Sequence, residues 1–529
     1  MKYRFPYVPG RLLAALRLAS MAAVLAGCSA VGDYRAPQAP QSTAYAPASA
    51  PVATQTASAP VAVGAAQRLD PARDIPYDWW TLFQSPQLNA LIERALKANP
   101  SIEAAQASLR QADEYVTAQQ GYFYPTVGAN YSVTRNKLAG NMGGNSPGVQ
   151  QNGQVIQAGS VTGAPPVSPA YYNFHTAQLT VGYVPDVFGA NRRAVESLQA
   201  QRDAQRYQLE AAYLTLASNV VAAALQEASL RAQIAASEAI VDAGRQNLAI
   251  MQKQLELGDV SALDVAAQQA ALAQAEQGLI PLRKQLDLTR DLLRALAGGL
   301  QDQDVPETFE LASLHLPEDL PLSLPSRLVE QRPDVRAAEA QLHAASAQSG
   351  VAVANTYPQF TISGAIGGMA TSPGWMFRSG GQFFNIGADV AYTIFDGGTL
   401  RARSRAAQQA MVQAAAQYRS TVITAVQNVA DTLHTIQYDA DALKAAADTA
   451  QAMQVARDLA RKQYALGDVG YQMVLLAEQN YQQAQIALVQ AQTNRLGDTA
   501  ALYQALGGGW WNRPDSPAAT QSKTEHGQQ

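Results

Sequence analysis

The chain has a single cysteine, Cys28, in 529 residues. One thiol excludes an intrachain disulfide framework and any cysteine-based zinc site of the finger or ribbon kind. Charge and aromatic rings are also scarce, at 15% and 7% of residues. A net charge of −4 leaves no basic excess to neutralise a phosphate backbone, which argues against nucleic acid as a partner. The five histidines (His175, His315, His343, His434 and His526) are scattered without metal-ligand spacing, and no glycine loop suited to phosphate is present. Long hydrophobic runs are missing too. Hydrophobic residues make up 47% of the chain, yet beyond the N-terminus no run reaches the roughly 18 residues that a membrane helix needs. A segment of this chain that crosses a membrane must therefore do so as strands.

The N-terminus carries a targeting pattern. Lys2, Arg4, Arg11 and Arg17 lie in and around the start of a short apolar stretch, residues 12–26, which ends in Leu25-Ala26-Gly27-Cys28. This reads as a secretory signal peptide. The small residues before Cys28 resemble a bacterial lipobox, in which the cysteine becomes the acylated first residue of the mature chain; the alternative is an ordinary signal peptide with a stray cysteine. By the same resemblance, Ser29 rather than Asp after Cys28 favours the outer membrane. Cleavage before Cys28 removes four basic residues and no acidic ones, leaving 34 basic against 42 acidic, a net charge of −8. The following stretch, rich in Ala, Pro, Gln, Ser and Thr, predicts an extended tether.

The rest of the chain is a duplication. Arg94-Ala95-Leu96-Lys97-Ala98-Asn99-Pro100 leads to Tyr124-Pro125, and Arg327-Leu328-Val329-Glu330-Gln331-Arg332-Pro333 leads to Tyr357-Pro358, both 233 residues on. Leu257-Gly258-Asp259-Val260 returns as Leu466-Gly467-Asp468-Val469 at a spacing of 209. The expected organisation is a signal peptide at 1–27, a lipid anchor and tether at 28–75, a first repeat at 76–300, a linker at 301–325, a second repeat at 326–511 and a disordered tail at 512–529.

Each repeat holds two alternating stretches. Val127, Ala129, Tyr131 and Val133 alternate with small or polar residues, as do Ala177, Leu179, Val181 and Tyr183. In the second repeat Phe360 and Ile362, then Phe384, Ile386, Ala388, Val390 and Tyr392, do the same. Period two with one apolar face is the pattern of a half-buried strand. Read as membrane strands, these four put their apolar side toward lipid and their polar side toward a wet lumen. Four cannot close a barrel, because about eight is the smallest known, so closure needs several chains. Read as soluble structure they would be two surface hairpins.

Between these hairpins lie long proline-free stretches. Residues 190–257 contain one glycine, Gly244, and 399–466 contain none. Sixty-eight residues make a helix of roughly 100 Å. Tyr207, Leu214, Val221, Ala228 and Ala235 stand seven apart, as do Val422, Val429, Ile436, Leu443 and Ala450, which predicts side-by-side coiled-coil packing. After Gly258 and Gly467 the chain turns and returns as a second helix.

These landmarks, together with Trp79-Trp80, Leu82-Phe83, the segment 182–189, Phe395-Asp396-Gly397-Gly398 and the segment 505–511, resemble the outer membrane factor family. Its members are the TolC-like exit ducts of tripartite efflux pumps, and the lipoprotein (NodT-type) branch matches best. The resemblance implies a membrane α+β fold in which each chain gives four strands to a trimeric twelve-stranded barrel, continued by a long antiparallel helical tunnel in the periplasm. It further implies a homotrimer in outer-membrane lipid, partnered by a periplasmic adaptor protein and an inner-membrane transporter of the RND type, with no cofactor and no chemistry of its own.

In the family, the periplasmic tip narrows near the second helix turn, where acidic side chains ring the constriction. Tyr464, Asp468 and Leu476 match that neighbourhood and are the gate candidates. Leu476 departs from the acidic residue frequent nine positions after the turn glycine, and Glu478 follows two residues on. An apolar ring closes by packing and dewetting, an acidic one by binding cations. The alternative for Asp468 is a helix cap. Gly258, Asp259, Ser261, Gly467 and Gly470 at the two turns are adaptor-contact candidates, the glycines also serving the turns themselves.

Competing readings are a duct for type I-like secretion of larger cargo, a structural envelope lipoprotein and a secreted hydrolase. Gly144-Asn145-Ser146-Pro147-Gly148 spells a nucleophile-elbow motif but sits in a Gly- and Asn-rich loop with no helical pattern after it. No reaction is expected.

Overall fold

A computed structural model describes residues 34–38, 53–57, 63–137, 149–151, 154–156, 171–300, 302 and 304–514. Cys28, the signal sequence, the Gly144–Gly148 motif and the chain beyond 514 lie outside the described residues. The elements follow as β1 (Arg68–Asp70), α1 (Pro86–Ala98), α2 (Pro100–Gln120), β2 (Thr126–Lys137), β3 (Val149–Gln151), β4 (Gln154–Ile156), β5 (Tyr171–Tyr183), α3 (Ala190–Leu257) and α4 (Ala262–Leu296). The second half continues with β6 (Asp319–Pro321), α5 (Pro325–Gln331), α6 (Pro333–Ala354), β7 (Gln359–Ala370), β8 (Gln382–Ala391), α7 (Thr399–Ala465) and α8 (Tyr471–Ala505).

Proline sets the matching breaks in the two repeats. Pro100 and Pro333 have no N–H to continue a helix, and each pushes the preceding residue, Asn99 or Arg332, into extended backbone (ψ 123° and 125°). The chain forms two compact units that do not coincide with the repeats. One gathers Gln111–Arg202 and Gln341–Ala415, the other Pro37–Arg110, Asp203–Ala340 and Ala416–Gln529, so each unit draws on both halves of the duplication.

The first unit holds an antiparallel sheet of four strands in the order β2-β5-β7-β8. Its register lines up the apolar positions. Val127 lies opposite Val181, then Gly364, then Ile386; Ala129 lies opposite Leu179, Ile366 and Phe384. The other face carries Gly128, Thr180, Ala365 and Asn385 in one row, and Thr126, Gly182, Ser363 and Gly387 in the next. Both hairpins thus turn their apolar residues to one side.

The second unit is where the core sits. Trp79 stacks on Tyr503 with ring centroids 5.4 Å apart, and Trp80 and Phe83 pack beside them. Between the two repeats Val305, Phe309, Leu314 and Leu320 are buried, and β6 pairs in parallel with β1. The tether is likewise tied down over its last part. Buried Arg495 donates to the carbonyls of Val63 and Ala65 and to Thr54 Oγ1, while Gln67 reaches Pro317 O and Thr499 Oγ1. At the other terminus Arg513 makes a two-pronged pair with Glu210, at 2.6 and 2.7 Å, and Asn512 bonds Asp74. The expected tail from 512 is therefore held at its first two residues.

The seven-residue spacing holds in α7, where Val422, Val429, Ile436, Leu443 and Ala450 are all buried. In α3 it fails at Ala235, which is exposed. From Leu216 to Leu230 α3 is covered around most of its circumference, with only Asn219, Ala222 and Gln226 exposed along this stretch. Beyond it the buried positions become Ile234 and Val241, because the helix there packs on α4 through Leu272, Leu279 and Leu282. Glu227, fully buried, is offset by Arg231 at 2.7 Å and by Arg290 of α4 at 2.9 Å, as a buried carboxylate requires.

One close approach occurs twice. A Cβ at Gly298 (φ +78°) would stand 2.5 Å from Ala98 O, and one at Gly507 (φ +99°) 2.6 Å from Gln331 O. Each glycine ends a returning helix and backs onto the carbonyl two residues before a repeat proline. Gly258 (φ +83°) has open space around it. Gly258→Ala should therefore cost only the left-handed strain of about 1–2 kcal/mol, whereas Gly298→Ala and Gly507→Ala must also move backbone. Thermal unfolding is expected to show larger losses for the latter two; equal shifts would contradict the packing argument.

Candidate functional site

The apolar sheet face is the first candidate surface. Phe384 and Ile386 are 80% and 82% exposed, and Val127, Tyr131, Leu179, Ile366 and Val390 are exposed with them. Among the described residues nothing covers this face. β2 and β8 each have one hydrogen-bonded neighbour among the described residues, so the sheet has two open edges. On the opposite face the strands offer Asn130, Ser132, Thr134, Gln178 and Thr180, with Asp389 opposite Thr361.

At each exit from the sheet an aspartate starts the long helix. Asp186 accepts the backbone N–H groups of Asn191 and Arg192, each at 2.9 Å. Asp396 accepts those of Gly398 at 2.8 Å and Leu400 at 2.7 Å, and these bonds hold its carboxyl below the usual carboxylate range. The sequence segments 182–189 and 395–398 are thus two copies of one strand-to-helix device.

The helix turns in the second unit are the second candidate surface. Gly258 N–H bonds Leu255 O and Asp259 N–H bonds Gln254 O; Gly467 N–H bonds Tyr464 O and Asp468 N–H bonds Gln463 O. Both are Schellman closures, and the positive φ at each turn explains the glycine. The starts of the returning helices differ. Ser261 and Asp264 form a reciprocal capping box on α4. On α8 the cap is Gly470, with no side-chain bond, so Asp468 does not cap that helix.

Asp468, Asp259, Ser261 and Gly470 are exposed, and Leu476 is 52% exposed. Tyr464 is placed differently: it packs edge-on against Tyr471, 5.2 Å between centroids, in a cluster with Met251, Val265, Val474 and Leu475. Tyr471 donates its hydroxyl to Gln268 Oε1 at 3.0 Å, and Gln268 donates to Gly244 O at 2.9 Å. Burial, with help from Tyr464 and Glu478, pushes the Tyr471 hydroxyl up to about 12. Glu478 forms an ion pair with Arg461 across the second hairpin and is largely covered. Leu476 keeps the more exposed place.

The structure adds residues that spacing alone did not single out. Leu257 and Leu466, immediately before the turn glycines, are each 77% exposed, and Leu263 and Met473 are exposed on the returning helices. Their signal was present in the duplicated Leu-Gly-Asp-Val, since a helix that ends at a left-handed glycine leaves the residue before it at the tip. Among the described residues no group of three or more His, Cys, Asp or Glu could hold a metal.

A family model described as outer membrane efflux protein matches residues 91–299 and 324–508. The pyoverdine export outer membrane protein OpmQ of Pseudomonas aeruginosa is 30% identical over 436 residues, covering 82% of this chain and 87% of that protein. The antibiotic efflux pump outer membrane protein ArpC of Pseudomonas putida is 27% identical over 503 residues, covering 94% and 96%. Among solved structures, the outer membrane protein VceC of Vibrio cholerae superposes with a TM-score of 0.73 at 26% identity, covering 82% of this chain and all of that one.

Proposed function

The chain belongs to the outer membrane efflux protein family, and on that premise we propose that it is one of three identical subunits of a TolC-like export duct for small molecules. The observation that carries this reading is the four-stranded sheet with one exposed apolar face and two open edges. In hydrocarbon, an unpaired strand edge leaves N–H and C=O groups unsatisfied, at several kcal/mol each. Three copies remove all six edges, with β8 of each pairing β2 of the next. The polar strand faces then line water, and the lumen-facing residues offer passage without chemistry.

The finer parts of the reading follow from the same premise. The duct works in a tripartite pump with a periplasmic adaptor and an inner-membrane transporter of the RND type, which sets the cargo. Cys28 is acylated and anchors each subunit in the outer membrane; fatty-acid labelling should be lost in Cys28→Ser. The helix turns serve both closure and docking. Asp468 and Leu476, with Tyr464 supporting the turn from behind, form the narrow tip, and Leu257, Ser261, Leu466 and Gly470 face the adaptor.

A lysine at the lipid face costs about 2–4 kcal/mol at mid-membrane. Ile386→Lys should therefore abolish heat-modifiable trimers and conductance in planar bilayers, while Asp389→Asn on the polar face keeps both. Trimers unaffected by Ile386→Lys would overturn the barrel reading. At the tip, Leu476→Ser should raise single-channel conductance by wetting the constriction, and crosslinkers at positions 261 and 470 should capture the adaptor in an assembled pump. Unchanged conductance would remove Leu476 from the gate.

A further inference from the structure

Where the last strand passes into α7, three arginines occur within five residues: Arg401, Arg403 and Arg405. All three are exposed. None pairs with a carboxylate among the described residues, in contrast to Arg192, held by Asp186 at 3.3 Å, and Arg193, held by Glu196 at 2.6 Å, at the start of α3. Their position is unfavourable for the helix itself. The first turns of a helix are its positive end, where cations are disfavoured, and Asp396 there already accepts the N–H groups of Gly398 and Leu400. Three uncompensated cations at this end call for an anion from outside the chain.

The surroundings indicate which anion. Tyr392, Ile394 and Phe395, between β8 and α7, are exposed, Phe395 to 89%, and Tyr122 and Tyr124 are exposed before β2. Aromatic rings at the foot of an apolar sheet face are the pattern of a membrane interface, and basic residues just beyond such a belt meet lipid phosphates. Leu400, Ser404 and Ala407 are partly covered by the chain, which fixes the helix's rotation. At about 100° per residue, Arg401 and Arg405 lie a turn apart on one flank, roughly 40° from each other, and Arg403 lies on the opposite flank.

We propose that Arg401 and Arg405 together bind the phosphodiester headgroup of an anionic phospholipid in the periplasmic leaflet of the outer membrane. The contact rests on the reading that the apolar sheet face meets lipid. Two guanidinium groups one turn apart can hold a single phosphate from two directions, and Arg403 cannot join them.

The test is native mass spectrometry of the purified full-length trimer in detergent, offered dioleoyl phosphatidylglycerol or dioleoyl phosphatidylcholine. Wild type should retain phosphatidylglycerol in preference, by roughly tenfold, and lose the preference as salt rises. R401Q/R405Q should abolish the preference and R403Q should keep it. Heat-modifiable migration and conductance, measured on the same samples, establish that each variant still forms the channel, so that failure of the channel reading is seen separately. An intact R401Q/R405Q trimer with undiminished preference overturns the proposal. So does equal loss in R403Q, or a change of ion selectivity in R401Q/R405Q without any change in lipid retention, which would place the pair on the water path.

Discussion

A peptide group in hydrocarbon has nowhere to send its hydrogen bonds except to another peptide group. The sheet β2-β5-β7-β8 satisfies this inside and fails at both edges, while its register gathers the apolar side chains on one face. A chain with this sheet is unfinished by itself. Among the described residues no helix is long and apolar enough to cross a membrane, so the burden of meeting hydrocarbon falls on this sheet, with its apolar face and its polar opposite face.

The duplication solves the remaining problem of supporting such a sheet. Every strand is continued by or preceded by a helix, and the connections repeat: proline before the strand-leading helices, aspartate at the exits, glycine at the turns and again where the returning helix ends. The matching approaches of Gly298 to Ala98 and of Gly507 to Gln331 are made by different sequences at different spacings. What the two halves share is the backbone path, which the side chains then elaborate separately. Among the described residues Glu227 with its two arginines in the first half has no counterpart in the second, where the α7 stripe is aliphatic and alanine-rich.

The sequence made the strands and rods legible because their periods are regular and long. Val127 to Val133 and Phe384 to Val390 alternate without interruption, and α3 spans the proline-free 190–257 residue for residue. Less regular segments hid their contribution. Val305, Phe309, Leu314 and Leu320 are spaced by prolines and acids with no period, so their burial depends on contacts far along the chain. Arg495 binding Val63 and Ala65 is of the same kind, a contact across more than 400 residues. Ala235 fell out of its heptad because the partner of α3 changes there, which no single-helix pattern records. Tyr464 shares a helix end with Asp468, yet its ring is claimed by Tyr471 and Met251 from other helices.

The two helix turns have the same backbone closure and unequal buttons. Ser261 and Asp264 fasten the first returning helix at its start, and Gly470 leaves the second unfastened, a difference of about 1 kcal/mol or less. Strain applied evenly to both turns will be taken up by the second one first. The chain thus carries one firm turn and one yielding turn, and the difference between them is written into the residues that start the two returning helices.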